Sequence, residues 1–524
     1  MVSLSTTYLG EIRGETDGNV EEYLGIPYAT LRNRWADAVL VSDREGPVLD
    51  VTNYGPTAVS PPSGCDLEFS IMQHSLPRGD LPQSHTGCLN LNISIPHTTE
   101  KPPVLPVFVF IHGGGYEIGA SSWPQFKLAR TDENYPSYRL GPFGFLTSDE
   151  LRQRGYKANN GLRDQRVALN WIARHIADFG GDPENITVAG VSAGGASVMH
   201  HLHSTQPLFK RAIVMSGSYF LLPPLPLSKH EENYKEAMAA LGLKHLPVDE
   251  RIKALLDIPA QEIASHLLRS VIAAPAIDGD IITECPTFAD LAAPNNEYPK
   301  AKAWCEELLV GDVQMDGNII RVLMPGAEVN CADKFTGILK AILHAHPETA
   351  QKILDHYGIS PSNPDDQVFT AVLDYFNDIA FFMPTLAAAQ GWAGKAFVYY
   401  FNEGNSWDGP TKGRAGHLLD TVYLFENFRE FLEPEQQALG RQFAGGFIKF
   451  CHGRAPWGSV ESNDLEKGFN ARVYGSRDGS DGAVRDVHYP FGGDTDRRGL
   501  LWECAREGVS LDQLLEVFHL FRGF

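Results

Sequence analysis

Residues 186–197 read ITVAGVSAGGAS, a run of β-favouring residues that meets Ser192 between Gly190 and Gly194 and then turns helix-friendly. A serine at such a junction suits a nucleophile on a strained turn, since its neighbours must be small enough for strand and helix to approach. The five-residue pattern alone fits equally a small residue where a strand packs on a helix, so the rest of the chain has to decide. A serine hydroxyl also needs a partner for the charge that develops on the substrate. The stretch IHGGGYEIGA (111–120) places three glycines directly after an apolar run. Bare backbone N–H groups there can point at an oxyanion, and losing one such donor typically costs about 3 kcal/mol of barrier. A phosphate loop is the weaker reading, because no Gly-Lys-Ser/Thr follows and the G-x-G-x-x-G spacing is not met.

These residues need a scaffold, and the apolar runs outline one. VFVFIHGGG (107–115), ITVAG (186–190), RAIVMSG (211–217), ELLVGD (307–312) and AFVYYFN (396–402) read as buried strands followed by turn chemistry. In QRVALNWIARHIADFGG (165–181), Leu169, Ile172, Ile176 and Phe179 fall on one helical face, with Gly180 as a stop. SLDQLLEVFHLF closes the chain as an amphipathic helix capped by Ser510. Strands apolar on both faces and alternating with helices predict an α/β fold with a mostly parallel sheet. No linker, repeat or charge block interrupts the 524 residues, which read as one domain, 1–524, with long insertions.

Composition narrows the function. A formal charge of −21 and a pI near 5.3 disfavour nucleic acid as a partner. No apolar run reaches membrane-spanning length. The start, MVSLSTTYLGEIRGE, lacks the basic and apolar regions of a signal peptide, so a cytoplasmic location is expected. Seven scattered cysteines fit a reducing compartment with mostly free thiols. His200, His201 and His203 are expected not to bind metal, because neighbouring residues on a helix point in different directions.

The motifs together are similar to one known family. FGGDPENITVAGVSAGG (179–195) resembles the active-site signature of the type-B carboxylesterase and lipase family, which includes the cholinesterases. YLGIPYA (23–29), CLNLNISIP (88–96), YRLGPFGFL (138–146), NNGLRDQRVALNWI (159–172), LFKRAIVMSGS (208–218) and GRAGHLLDTVYLF (413–425) extend the resemblance along most of the chain, the last looking most like fungal members. The resemblance implies an α/β-hydrolase fold and a serine hydrolase of neutral carboxylic esters, with no cofactor or metal. It implies Ser192 as nucleophile, Asp316 as the acid and His417 as the base, in the chain order of that fold. It also implies oxyanion donors on the backbone of Gly114, Gly115 and Ala193. Asp312 is the local rival to Asp316, with loop capping as its ordinary role, and Asp420 is expected to support the histidine from behind. The same residues would serve an acyltransferase or cyclising enzyme, and a hydrolase-fold binding protein without turnover is the remaining alternative.

The sequence departs from the family pattern in three places. Val191 stands where a glutamate is common, and the interval Cys65–Cys88 lacks the tryptophan that stacks on choline in cholinesterases. Both departures argue against a cationic ester. The family loop is closed by a disulfide, which leaves a Cys65–Cys88 bond open here. Finally, ASSWPQFKLARTDENYPSYR (120–139) is polar and holds two prolines where an apolar inner strand is expected. The expectation is that another segment fills that place or that the sheet is missing one strand.

Overall fold

The computed structural model describes residues 1–97, 104–127, 133–267, 272–293, 303–460, 468–475, 484–489 and 497–523. Its centre is a thirteen-stranded mixed sheet. In chain order the principal strands are β1 (Val2–Thr6), β2 (Gly10–Asp17), β3 (Val20–Pro27), β4 (Asn90–Pro96), β5 (Leu105–Ile111) and β6 (Glu133–Pro136). There follow β7 (Gly181–Val191), β8 (Arg211–Met215), β9 (Glu307–Val313), β10 (Lys395–Phe401), β11 (Phe469–Tyr474) and β12 (Val484–Tyr489). They lie side by side as β1-β2-β3-β4-β6-β5-β7-β8-β9-β10-β11-β12, with Leu49–Asp50 pairing on β2. From β6 to β11 every neighbouring pair is parallel. The strands of this stretch that the apolar runs mark are buried on both faces: RAIVM and ELLVGDV are buried at every residue, as parallel strands covered by helices require. This is the α/β architecture with a mostly parallel sheet that the sequence predicts.

Helices flank the sheet. Those that bear on the site are α1 (Gly64–Met72), α2 (Asn160–His175), α3 (Ala193–His201), α4 (Leu419–Phe425) and α5 (Leu511–Arg522). The amphipathic segment expected at 165–181 begins earlier, at Asn160, and ends in a 3-10 turn, Ile176–Phe179, with Gly180 at φ 85°. Ser510 caps α5 as expected, in a reciprocal capping box with Gln513. Two stretches singled out in the sequence are tied by a buried bidentate pair: Arg139 Nε donates to Asp164 Oδ2 at 2.8 Å and Nη2 to Oδ1 at 2.7 Å. A second apolar cluster, around Trp35, Phe143, Tyr234 and Leu255, packs apart from the main core. Among the described residues no helix is long and apolar enough to cross a membrane.

The expectation of a missing strand between 120 and 139 is corrected by β6. It runs antiparallel to β4, from Leu91↔Pro136 to Ser94↔Glu133, and parallel to β5 through Phe108↔Glu133 and Val109↔Asn134. Ladder hydrogen bonds come from the backbone, so a polar tetrapeptide can hold an inner position when its neighbours supply the apolar cover. Phe425 of α4 supplies it, with its ring 4.9 Å from Phe110, 5.8 Å from Phe126 and 6.1 Å from Tyr135. Pro136 ends the strand, where its lack of an N–H interrupts least. Residues 128–132 of the expected gap lie outside the described residues.

Because its ring, with that of Phe110 at 5.8 Å from Tyr135, covers the shortest inner strand among the described residues, Phe425→Ala is expected to cost about 3–5 kcal/mol, as truncation of a buried aromatic does. A denaturation midpoint unchanged from wild type would rule out this role for the ring.

Candidate active site

At the end of β7 the backbone turns sharply. Ser192 sits at φ 56°, ψ −123°, and α3 begins at the next residue. This is a conformation that costs of order 1–3 kcal/mol for a residue with a side chain and persists only where the surroundings enforce it. They do so by contact: a Cβ at Gly190 would lie 2.3 Å from Gly194 O, and one at Gly194 would lie 2.0 Å from Ile111 O. Ser192 N donates to Met215 O at 2.9 Å, and Ser192 O accepts from Ala196 N at 2.9 Å.

The glycine loop after β5 packs directly on this turn. A Cβ at Gly113 would meet Val191 O at 2.8 Å and the Ser192 Cβ at 3.0 Å. Gly114 and Gly115 take φ 95° and 62°, and Gly114 O accepts from both Glu117 N and Ile118 N at 3.0 Å, which fixes the loop's curl. Below it, the rings of His112 and Tyr138 stack at 4.5 Å, and Tyr138 Oη donates to His112 O at 2.9 Å. Burial pushes the His112 imidazole down to about 4, so it stays neutral and serves as packing.

A carboxylate and an imidazole meet beside the turn. His417 Nδ1 lies 2.6 Å from Asp316 Oδ1, with both side chains enclosed, at 1% and 0% exposure. Asp316 stands just past the end of β9. Its Oδ2 accepts from Val313 N at 2.9 Å, and its own N donates to Asn377 Oδ1 at 2.6 Å. His417 N donates to Asn318 Oδ1 at 2.8 Å, and Phe381 packs edge-on against the ring at 5.7 Å. The carboxylate holds Nδ1, which leaves Nε2 as the free edge of the ring.

Asp312, the rival acid, pairs elsewhere. Arg498 Nη2 is 3.1 Å from its Oδ2, and Nη1 donates to Oδ1 at 3.2 Å. A buried ion pair therefore replaces the expected loop cap. Burial pushes the Asp312 carboxyl up to about 7, with Arg498 opposing and Asp316 adding to the rise. Asp420 accepts from Tyr399 Oη at 2.7 Å and is likewise raised to about 7, by burial first and Asp316 second. His201 Nε2 lies 2.8 Å from Gln165 Oε1, and His203 Nε2 lies 3.1 Å from Tyr219 Oη. Cys65 and Cys88 are buried free thiols, so the disulfide left open by the sequence is not formed.

Ser192, Gly114, Gly115 and His417 line one cavity of about 250 Å³. Leu67, Ile71, Ile118, Leu222 and Val322 make much of the remaining wall, and no Phe, Tyr or Trp ring lines it among the described residues. Two residues of this region escaped the sequence reading. Arg498 has no local signal, whereas Glu68 is an acid on the buried side of α1, among Cys65, Phe69 and Met72. An acid on the apolar side of a short helix is a signal that pattern reading could have used.

A strained serine turn, a glycine loop and a carboxylate-bound histidine around one cavity on a mostly parallel sheet are the arrangement of the serine hydrolases of the α/β-hydrolase class. The Carboxylesterase family profile matches residues 2–468. The chain belongs to that family, and with it to the carboxylic ester hydrolases. It is 29% identical over 443 residues to the para-nitrobenzyl esterase of Bacillus subtilis (strain 168), covering 80% of this chain and 82% of that protein. It is 28% identical over 466 residues to Lipase 3 of Yarrowia lipolytica (strain CLIB 122 / E 150), covering 84% and 86%. A solved structure of PNB esterase matches with a TM-score of 0.73 at 25% identity, over 95% of this chain and 99% of that one.

Two stability experiments follow from the charges behind the histidine. Arg498→Ala strands Asp312 in the interior and is expected to cost about 3–5 kcal/mol; a loss under 1 kcal/mol would show the pair to be dispensable. Asp420 binds its proton more tightly folded than unfolded, so folding bears a cost that grows as pH rises from about 4 to about 7 and is complete above that. Asp420→Asn is expected to raise the melting temperature at pH 8, with the gain shrinking toward pH 4. A gain independent of pH would contradict this assignment.

Proposed function

We propose that the protein hydrolyses neutral carboxylic esters through an acyl-enzyme on Ser192. His417 Nε2 takes the proton of Ser192 as its Oγ bonds the ester carbonyl carbon, and later returns it to the leaving alcohol. Asp316 keeps the ring in the tautomer with its proton on Nδ1 and stabilises the charged form. The N–H groups of Gly114, Gly115 and Ala193 receive the oxyanion, Ala193 from the first position of α3. Water then attacks the acyl group by the same route and frees Ser192.

The observation that carries this reading is that Ser192, the glycine loop and the Asp316-bound His417 share one largely aliphatic cavity. The wall also supports the choice of substrate: aliphatic side chains suit an apolar acyl or alcohol group, and among the described residues no Phe, Tyr or Trp ring is there to stack on a quaternary ammonium.

A fluorophosphonate probe is expected to label wild type and not Ser192→Ala, and equal labelling of both would overturn the reading. On p-nitrophenyl butyrate, Asp316→Asn is expected to lower kcat by about 10⁴-fold, since the amide presents the wrong partner to Nδ1. A loss below tenfold would assign the orienting role elsewhere.

A further inference from the structure

One carboxylate of the cavity has no part in the chemistry above. Glu68 of α1 is 1% exposed and lines the same cavity as Ser192 and His417. Its Oε2 accepts from Gln125 Nε2 at 2.8 Å, while its Oε1 is enclosed and has no hydrogen-bond partner among the described residues. Gln125 is itself 1% exposed, and its main-chain oxygen accepts from Asn427 Nδ2 at 2.9 Å. The carboxylate is thus held on a fixed mount, yet half of its accepting capacity is unused. That is an expensive arrangement for a group with a purely structural role.

Its electrical surroundings point to a use. His417 is a group of opposite sign whose charge acts on Glu68. Asp316 occupies Nδ1 of that ring, whereas Glu68 belongs to the cavity wall, the side on which Ser192 lies. Resting on the hydrolytic reading of Ser192 and His417, we propose that Glu68 is a positioning residue that stabilises the imidazolium formed on His417 while Ser192 attacks the ester. The proton leaves Ser192 Oγ for Nε2, the Oγ–C bond forms, and the carbonyl electrons move to the oxyanion. The resulting cation then lies between two carboxylates, with Asp316 hydrogen-bonded and Glu68 acting through space. When the imidazolium returns its proton to the leaving alcohol, Glu68 is unchanged.

This role makes turnover depend on the ionisation of Glu68. Burial pushes its carboxyl up to about 7, with the Gln125 hydrogen bond and His417 opposing. Facing it are Cys65 on its own helix, raised by burial to about 12, Tyr138 beneath the glycine loop, raised by burial well above the ordinary phenol value, and His417. Glu117 and Arg522 line the cavity further along. Asp312 and Asp420 behind the histidine share the window near 7. The comparison of wild type with a neutral isostere, rather than either profile alone, therefore isolates Glu68.

Glu68→Gln keeps the shape and can still accept from Gln125, so it removes the charge alone. On p-nitrophenyl butyrate at pH 8 it is expected to lower kcat about tenfold, a part of the 10²–10⁴ that general base catalysis supplies, with KM within about twofold. At pH 5.5, where wild-type Glu68 is itself protonated, the two enzymes should converge. Glu68→Asp, which keeps the charge, should recover part of the loss at pH 8. Fluorophosphonate labelling rates at the two pH values give the same comparison without an ester. A kcat within twofold of wild type at pH 8, or a deficit equal at both pH values, overturns the proposal. If wild type neither labels nor turns over, it is the hydrolytic reading that fails.

Discussion

Around Ser192 the backbone is packed against itself. Positions 190 and 194 have no space for a methyl group, and a Cβ at Gly217 would lie 2.2 Å from Ser192 O. The left-handed serine is therefore a consequence of close approach between β7, α3 and the loops after β5 and β8. The parallel register sets the rest. Gly190 pairs with Ile111, and Met215 with Gly311, so the glycine loop and the segment bearing Asp316 both emerge beside the turn. A one-residue slip in any of these ladders would carry its loop away from the serine and turn its side chains to the other face. The chemistry is fixed by strand registration before any side chain contributes.

Charge is managed differently inside and out. The surface carries the excess behind a net −21, while Asp312, Asp316 and Asp420 are all buried close to one histidine. Three ionised carboxylates would repel one another strongly there. The structure separates them by partner: Asp316 takes the imidazole, Asp312 takes Arg498, and Asp420 takes a tyrosine hydroxyl. Burial displaces the ionisation of Asp312 and Asp420 to about 7.

What could be read along the chain was whatever depends on near neighbours. Ser192 with its glycines, the loop at 113–115, the Ser510 cap and the strands at 107–111 and 211–215 are local patterns, and each lies where its pattern places it. His417 and Asp316 were legible through motifs and not through physics, since they meet across 101 residues. The remainder is long-range. Glu68 finds Gln125 across 57 residues and Arg498 finds Asp312 across 186, so neither pairing had a local signature, although the acid at Glu68 on the apolar side of its helix did. Strand β6 was hidden for another reason. Its residues are polar and its apolar cover comes from Phe425, nearly three hundred positions later, so hydrophobic periodicity had nothing to detect.

That short strand has a mechanical consequence. In the described residues four paired positions join β6 to β4, and two join it to β5. The sheet is thus two stiff plates, an antiparallel one carrying β1 to β4 and a parallel one carrying the serine turn, sewn together by few stitches. Shear or thermal opening will part the plates at this seam before it disturbs either one. Glu68 lies between β3 and β4 of the antiparallel plate in the chain, and Ser192 and His417 belong to the parallel one. Loosening the seam would therefore change the spacing between wall charge and histidine while the serine turn itself stays intact.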